Sequence, residues 1–240
     1  MIDRLPLLAL LALASLPAAA ASPVATRTYS VTGFDRVRID GPYQVSLKTN
    51  VSPFARATGG QAALDGVSIK VEGRTLVVKA SSSGWGGYPG EGRGPVTIEV
   101  GTHDLRNGWI NGAGALAIDR IRGLSFDLSI NGSGMASVAE AEVDQLKVSV
   151  SGTASVRLSG QAAKLTTMVR GTSSFDGERL RVKDSVIGAE GPSIVRANVS
   201  NSAKVDATGL ASVTLTGNPA CNVRTQGSAN VVGCKDGSRF

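Results

Sequence analysis

The single histidine of the chain limits the catalytic chemistry that the sequence can support. His103 lies between Thr102 and Asp104, where a predicted strand ends. A Ser-His-Asp triad would have to use this imidazole, and the sequence contains no Gly-x-Ser-x-Gly elbow that would present a nucleophilic serine. One histidine and two distant cysteines are also too few ligands for a zinc site. We therefore predict an exposed turn histidine, with no catalytic residues, no metal ligands and no cofactor.

Acidic and basic side chains are scattered through the second half of the chain. Some β-helical enzymes cleave acidic polysaccharides with such residues clustered on one face. The second half of the chain repeats about every 20 residues, and the charged residues here do not recur at one position of that repeat. This favours solvated charges on the outer face. Since a fold alone does not imply an activity, a polysaccharide-active enzyme remains the alternative. The candidate residues are Asp119, Asp127, Asp144, Asp176, Asp184, Asp206, Arg157, Arg170, Arg181 and Arg196.

Two cysteines, Cys221 and Cys234, flank the last repeat. An even number of cysteines in an exported chain favours a disulfide. A disulfide here would crosslink the last repeat, at the C-terminal end of the predicted fold. A reduced metal-binding pair is the alternative, but two thiols alone are an incomplete site.

A glycine-rich stretch over 81–95 is favoured by its composition as a linker, but it also contains aromatic side chains that are candidate ligand contacts. Trp85 and Tyr88 could stack on a sugar ring or insert into the pocket of a partner, with Arg93 nearby. Long loops of this composition are either functional or disordered, and the favoured interpretation is a linker whose aromatic residues pack back onto the fold. The stretch lacks the Gly-Lys-Ser/Thr ending of a phosphate-binding loop.

The first 21 residues resemble a secretory signal peptide. An apolar run, Leu5–Leu16, is too short to span a bilayer and is followed by the small residues Ala18–Ala21. A membrane anchor or a buried N-terminal helix is the alternative. We predict cleavage and export, no transmembrane helix after removal of residues 1–21, and a flexible lead over 22–33.

The formal net charge of +6 comes from lysines and arginines that are scattered singly. No basic run and no set of stacking aromatic residues accompanies them, so nucleic acid is not a predicted partner. A solvated basic surface is the simpler interpretation.

The most regular feature of the sequence is a row of glycines at steps of 18 to 20 residues. An apolar residue follows each glycine after four positions, and alternating strands lead up to it. A repeat of this length, without helical segments, predicts an all-β solenoid. Each glycine is expected at a bend that needs positive φ or leaves no room for a Cβ. The seven glycines are Gly112, Gly132, Gly152, Gly171, Gly191, Gly209 and Gly227.

Alternating strands also precede the repeat, in a less regular arrangement. Val67, Ile69 and Val71 alternate with polar residues, and Leu76–Val78 returns after a turn as a hairpin partner. We predict one domain over 34–240, in which 34–104 form an irregular N-terminal β portion and 105–240 form the regular repeats.

Several motifs together resemble one family. They are Phe34–Val45, the hairpin Gly73–Val78, the turns Ile110–Gly114 and Ile130–Gly134, and the closing segments Gly217–Pro219 and Gln226–Ala229. In this order they resemble the head GIN domain of auto-transporter adhesin type, a domain of unknown function in bacterial envelope proteins. The resemblance implies a right-handed β-helix with coils of about 20 residues, and a periplasmic or cell-surface location.

The sequence departs from this family at the residue after its Gly-x-Gly turns. Aspartate is frequent there in the family, whereas this chain has Ala115, Met135, Ser155 and Ser174. A ladder of carboxylates or a Ca²⁺ site at these turns is therefore not predicted.

The sequence as a whole predicts an exported, non-enzymatic binding or adhesion module. Its expected partners are a glycan or another component of the envelope. A structural subunit of a surface assembly, joined through the ends of the solenoid, is the remaining alternative.

Overall fold

A computed structural model describes residues 24–81 and 94–235 of the 240-residue chain. Sixteen strands and one short helix occupy these residues. The N-terminal portion comprises β1 (Val24–Tyr29), β2 (Arg36–Asp40), β3 (Gln44–Lys48), β4 (Phe54–Gly60), α1 (Gln61–Asp65), β5 (Val67–Glu72), β6 (Thr75–Ala80) and β7 (Val96–Gly101).

The repeat portion consists of long strands, each of which covers most of one coil. They are β8 (Asn107–Gly112), β9 (Ala115–Gly132), β10 (Met135–Gly152), β11 (Ser155–Gly171), β12 (Ser174–Glu190), β13 (Ile194–Gly209), β14 (Ser212–Thr216), β15 (Ala220–Gly227) and β16 (Asn230–Val232). The predicted all-β solenoid is confirmed, and neighbouring coils pair in parallel.

Each coil contributes to two sheets, which we call the first-half sheet and the second-half sheet. In β9, the stretch 115–118 pairs with β3, whereas 127–132 pair with β8. The first-half sheet continues outward from β3 through β7 and β4 to β1. The second-half sheet continues from β8 through β2 and β6 to the edge strand β5.

The core lies between the two sheets and is built from ladders of equivalent residues. Ile130, Val150, Val169 and Ala189 are in register in successive coils, and all four are buried. Because side chains alternate along a strand, each strand sends every second residue into this core. The coils therefore stabilise one another, as expected for a repeat that cannot bury its apolar face alone.

All seven repeat glycines have positive φ. At Gly132, φ is +122°, and an added Cβ would also lie 2.6 Å from the carbonyl oxygen of Gly112 in the preceding coil. Both of the reasons considered for glycine therefore apply at this corner, since L-residues avoid this conformation and the backbones approach too closely for a side chain.

The structure differs from the sequence-based predictions in two N-terminal segments. Residues 24–29 of the lead that we predict to be flexible instead form β1, which pairs antiparallel with β4. Strand β1 covers an edge of β4 that would otherwise expose unpaired backbone groups. Helix α1 is the second difference, and its sequence Gln-Ala-Ala-Leu-Asp has favourable helix propensity between Gly60 and Gly66.

Candidate binding site on the second-half sheet

The candidate ligand contacts from the sequence, Trp85, Tyr88 and Arg93, lie outside the described residues, as do the predicted signal peptide and residues 236–240. Their role stays a prediction.

His103 is exposed in the turn after β7. Its backbone oxygen accepts a hydrogen bond from the N–H of Asn50 at 2.9 Å. Within 24–81 and 94–235, no group of three or more His, Cys, Asp or Glu side chains could hold a metal ion.

Most of the scattered charges are exposed, whereas Asp127, Asp176 and Asp184 are partly buried, and the structure pairs some of the charges between coils. Arg157 and Asp176 occupy the same coil position and form an ion pair at 3.3 Å. Arg170 pairs with Glu190 at 2.9 Å, again one coil away. The expectation that these charges share no repeat position is therefore wrong for these pairs. Such exposed pairs each contribute about 0–1 kcal/mol, so they support the register more than the overall stability.

Among the candidate carboxylates, Asp184 accepts two hydrogen bonds from neighbouring side chains. Its Oδ1 accepts hydrogen bonds from the Ser202 hydroxyl and from the Asn201 amide. The Ser202 hydrogen bond, followed by that of Asn201, lowers the pKa of Asp184. A carboxyl group with a lowered pKa is ionised at neutral pH and cannot serve as a general acid there.

The predicted disulfide is confirmed. Cys221 is the one fully buried residue of β15, Cys234 follows β16, and their Cα atoms are 5.7 Å apart. The bridge joins two segments of the last coil, where the stack of strands ends and packing is provided from one side only.

Removal of this disulfide should lower the free energy of unfolding by about 2–3 kcal/mol, because the closed loop spans few residues. We expect this loss for the double variant Cys221→Ala/Cys234→Ala, measured by chemical denaturation against the oxidised protein. Added reductant should produce a similar loss in the wild type and none in the double variant. A wild-type melting temperature that reductant leaves unchanged would contradict the stabilising role.

An open groove crosses the N-terminal end of the second-half sheet on its outer face. Its volume is about 440 Å³, which falls within the size range of small-molecule sites. We call it the Trp109 groove and define it by its lining residues Arg38, Glu72, Thr75, Val77, Trp109 and Asn111.

Register explains how these side chains meet. Arg38 of β2 lies between Val77 of β6 and Trp109 of β8 in the sheet. Ile110 points into the core, so the preceding Trp109 points outward, where it is only partly buried. A large indole therefore lies on an accessible sheet surface.

Polar groups beside Trp109 are held in place by one another. Asp40 accepts hydrogen bonds from Arg38 Nε at 3.0 Å and from Asn111 Nδ2 at 2.7 Å. The three residues come from two neighbouring strands, so the sheet itself sets their spacing. A prearranged network of this kind can bind a polar ligand without ordering flexible side chains first.

The far side of the groove is formed by the β5–β6 hairpin. Glu72 lies opposite Thr75, and Lys79 lies four residues further along β6. Lys79 Nζ lies 3.4 Å from Glu72 Oε1. Since Val77 lies between Thr75 and Lys79 on β6, this ion pair passes over Val77. Val77 is only 2% exposed although it lies outside the solenoid core, which gives the groove an apolar floor.

Our sequence-based reasoning did not single out Trp109, although a signal was present. Ile110 stands two residues before a repeat glycine, as Ile130 does, so an inward Ile110 places residue 109 on the outer face. The groove itself was not predictable from this pattern, because it needs the hairpin beside β2.

These features define the class: a parallel β-solenoid with an accessible groove on one sheet. The chain belongs to the family described as "Putative auto-transporter adhesin, head GIN domain", whose profile matches residues 33–219. The resemblance stated from the sequence is thus confirmed.

A search of curated proteins gave no significant match. Within the described part of the chain, no helix has the length and apolarity needed to cross a membrane.

Solved structures share the fold at low sequence identity. An adhesin-type protein from Bacteroides fragilis, named a putative adhesin, superposes with a TM-score of 0.80 at 16% identity, covering 88% of this chain and 97% of the other. A putative lipid binding protein from Parabacteroides distasonis gives 0.69 at 13% identity, with 87% and 95% covered. A putative adhesin from Parabacteroides merdae gives 0.63 at 13% identity, with the same coverage. At these identities the likeness establishes the fold alone.

Proposed function

We propose that the protein is an exported binding module of the bacterial cell envelope, that it has no enzymatic activity, and that the Trp109 groove is its ligand site. The family membership supports an adhesin-like role, and the composition of residues 1–21 supports export. The observation that carries the proposal is the partly buried indole of Trp109 beside a fixed polar network. Partly buried tryptophan residues of this kind are frequent anchors in binding sites.

Export and binding can be tested separately. We expect the mature chain, recovered from the periplasm or the cell surface, to begin near residue 22 by mass spectrometry. A full-length chain that stays in the cytoplasm would contradict export. Purified protein should co-sediment with bacterial envelope fragments, and Trp109→Ala should lower this binding at least about tenfold.

Leu210→Ala provides the matched control for that experiment. Leu210 is apolar and 67% exposed, and it follows the last of the long strands, far along the solenoid from the groove. Its truncation should leave envelope binding unchanged. If wild-type protein does not co-sediment, or if both variants lose binding equally, the groove is not the site.

A polysaccharide-active enzyme is the second candidate, and one observation favours it. Two of the candidate residues, Asp144 and Arg181, line one groove of about 490 Å³ together with Glu142 and Lys183. Glu142 is already paired with Arg122 at 3.0 Å, however, which leaves Asp144 as the carboxylate without an ion pair to described residues. Release of reducing or unsaturated ends from a polysaccharide panel would favour this candidate over the binding module.

Self-association through the solenoid ends stays a prediction. In the last coil, exposed Thr225 continues the ladder that Ile130 and Ala207 form inside the core. A polar residue at this place reduces the apolar surface that a second copy could cover, as in the capping repeats of other solenoids. A sedimentation profile that does not change with concentration would argue against assembly through this end.

A further inference from the structure

We propose that the Trp109 groove binds a neutral pyranose glycan, with a sugar ring stacked on the indole and hydroxyl groups bound to Arg38 and Asn111, which Asp40 holds in place. This inference rests on the proposed function, since it names the chemical class of ligand for the same groove. It depends on three features of the groove, which are the indole, the charge balance and the neighbouring surface.

The indole provides the apolar half of the recognition. Trp109 lies on the outer side of a sheet, beside Arg38 in one neighbouring strand and Ser129 in the other. An aromatic ring with one apolar face available matches the apolar C–H face of a pyranose, while the edge of the sugar needs polar partners. A purely apolar ligand such as an acyl chain would instead displace water from the Arg38–Asp40–Asn111 network without replacing its hydrogen bonds, at a cost in desolvation.

The charge balance argues for a neutral ligand. Arg38 is paired with Asp40 at 3.0 Å, and Glu72 is paired with Lys79 at 3.4 Å. Each charged group that lines the groove therefore has a partner of opposite sign. An anionic or cationic ligand would have to compete with these pairs, whereas a hydroxyl group can accept from the guanidinium and donate to the carboxylate while the pair remains.

The surface next to Trp109 allows a chain rather than a single sugar. Ser129 and Ser149 follow Trp109 at the same position in the next two strands. Both side chains are small and carry hydroxyl groups, so the sheet surface beyond the indole is polar and these two positions place no bulky side chain on it. An oligosaccharide can then extend across the strands from the groove, with further hydrogen bonds to the serines.

The test uses the mature protein and neutral oligosaccharides of glucose, mannose and galactose, with uronic acid oligosaccharides as the acidic comparison. Calorimetry should detect a neutral oligosaccharide, and Trp109→Ala should weaken its binding at least about tenfold. Trp109→Phe should retain part of the affinity, because a smaller aromatic ring still stacks. Asn111→Ala, at an exposed position, should weaken binding about threefold to tenfold without loss of folding.

Two further measurements separate stacking from a structural effect of the substitutions. In a Trp85→Phe background Trp109 is the remaining tryptophan of the two in the chain, and its emission should shift when the sugar binds. Raising NaCl from about 0.05 to about 0.5 M should change the affinity by less than about twofold, because no net charge is screened. Leu210→Ala again serves as the control with unchanged affinity.

The outcomes distinguish this inference from the proposed function. Envelope binding that no neutral oligosaccharide competes, or that acidic oligosaccharides compete better, would overturn the neutral glycan while leaving the binding module intact. Sugar binding without envelope binding would support the glycan site and contradict the envelope role. Unchanged sugar affinity in both Trp109→Ala and Asn111→Ala would overturn the site.

Discussion

Replacing Gly132 with valine should destabilise the solenoid by about 3–5 kcal/mol, the sum of backbone strain and a steric conflict between coils. Gly132 has φ +122°, a conformation that a β-branched residue avoids. Its Cβ would also lie 2.6 Å from the Gly112 carbonyl oxygen and 3.0 Å from the Gly112 Cα. Both of these atoms belong to backbone, so they can move only if the two coils separate locally.

Gly123→Val is the matched control for this experiment. Gly123 has a similar φ of +135°, but no heavy atom lies within 4 Å of the position its Cβ would take. Its substitution therefore tests strain alone, and we expect a loss of about 1–2 kcal/mol. Chemical denaturation of both variants measures the difference, which is the contribution of close coil packing. If both variants lose the same free energy of unfolding, the neighbouring coils can move apart to accept a side chain. In that case the backbone conformation alone requires glycine at position 132.

The second large effect is expected in the core, at Phe126. This side chain is 0% exposed and is in register with Leu146 of the next coil. In the preceding coil, Gly108 is in register with Leu128, and a Cβ added there would lie 3.2 Å from Leu128 and 3.8 Å from the Phe126 ring. The glycine thus leaves space that the larger neighbours fill. Truncation by Phe126→Ala should therefore open a cavity and lower the free energy of unfolding by about 3–5 kcal/mol.

Leu124→Ala is the control within the same coil. Leu124 is two residues away and 79% exposed, so its truncation should change the free energy of unfolding by less than about 0.5 kcal/mol. Both variants are measured by chemical denaturation. If the dependence of the unfolding free energy on denaturant concentration is unchanged, the substitutions act on stability alone. A loss below about 1 kcal/mol for Phe126→Ala would mean that the coils collapse into the vacated space, so that no cavity remains.

The regular half of the fold was largely predictable from local sequence. The spacing of Gly132, Gly152 and Gly171 places equivalent residues one coil apart, and the alternation before each glycine identifies the inward side chains. The structure pairs Ile130 with Val150 and Val150 with Val169, as this spacing implies. Pairing between strands of consecutive coils can be predicted from a sequence repeat, because each coil contacts mainly the next one along the chain.

The N-terminal half was less predictable for the opposite reason. Strand β2 pairs in parallel with both β6 and β8, which lie far apart in the sequence. Strand β1 adds to β4 although its residues belong to a segment that the sequence suggests is flexible. Local propensity carries little information about such partners, because strand formation depends on the neighbouring strands that a segment finds in the folded protein.

Local sequence predicts the strand alternation, the glycine corners, the spacing of the coils and a disulfide between the two cysteines. These features follow from backbone sterics and from the period of apolar residues, both of which are local. The pairing of charges between coils depends on how the strands are arranged in the folded protein, as does the position of Trp109 beside Arg38, Val77 and Asn111. The groove exists because the β5–β6 hairpin extends the second-half sheet next to β2, and that placement arises from packing between segments distant in the chain.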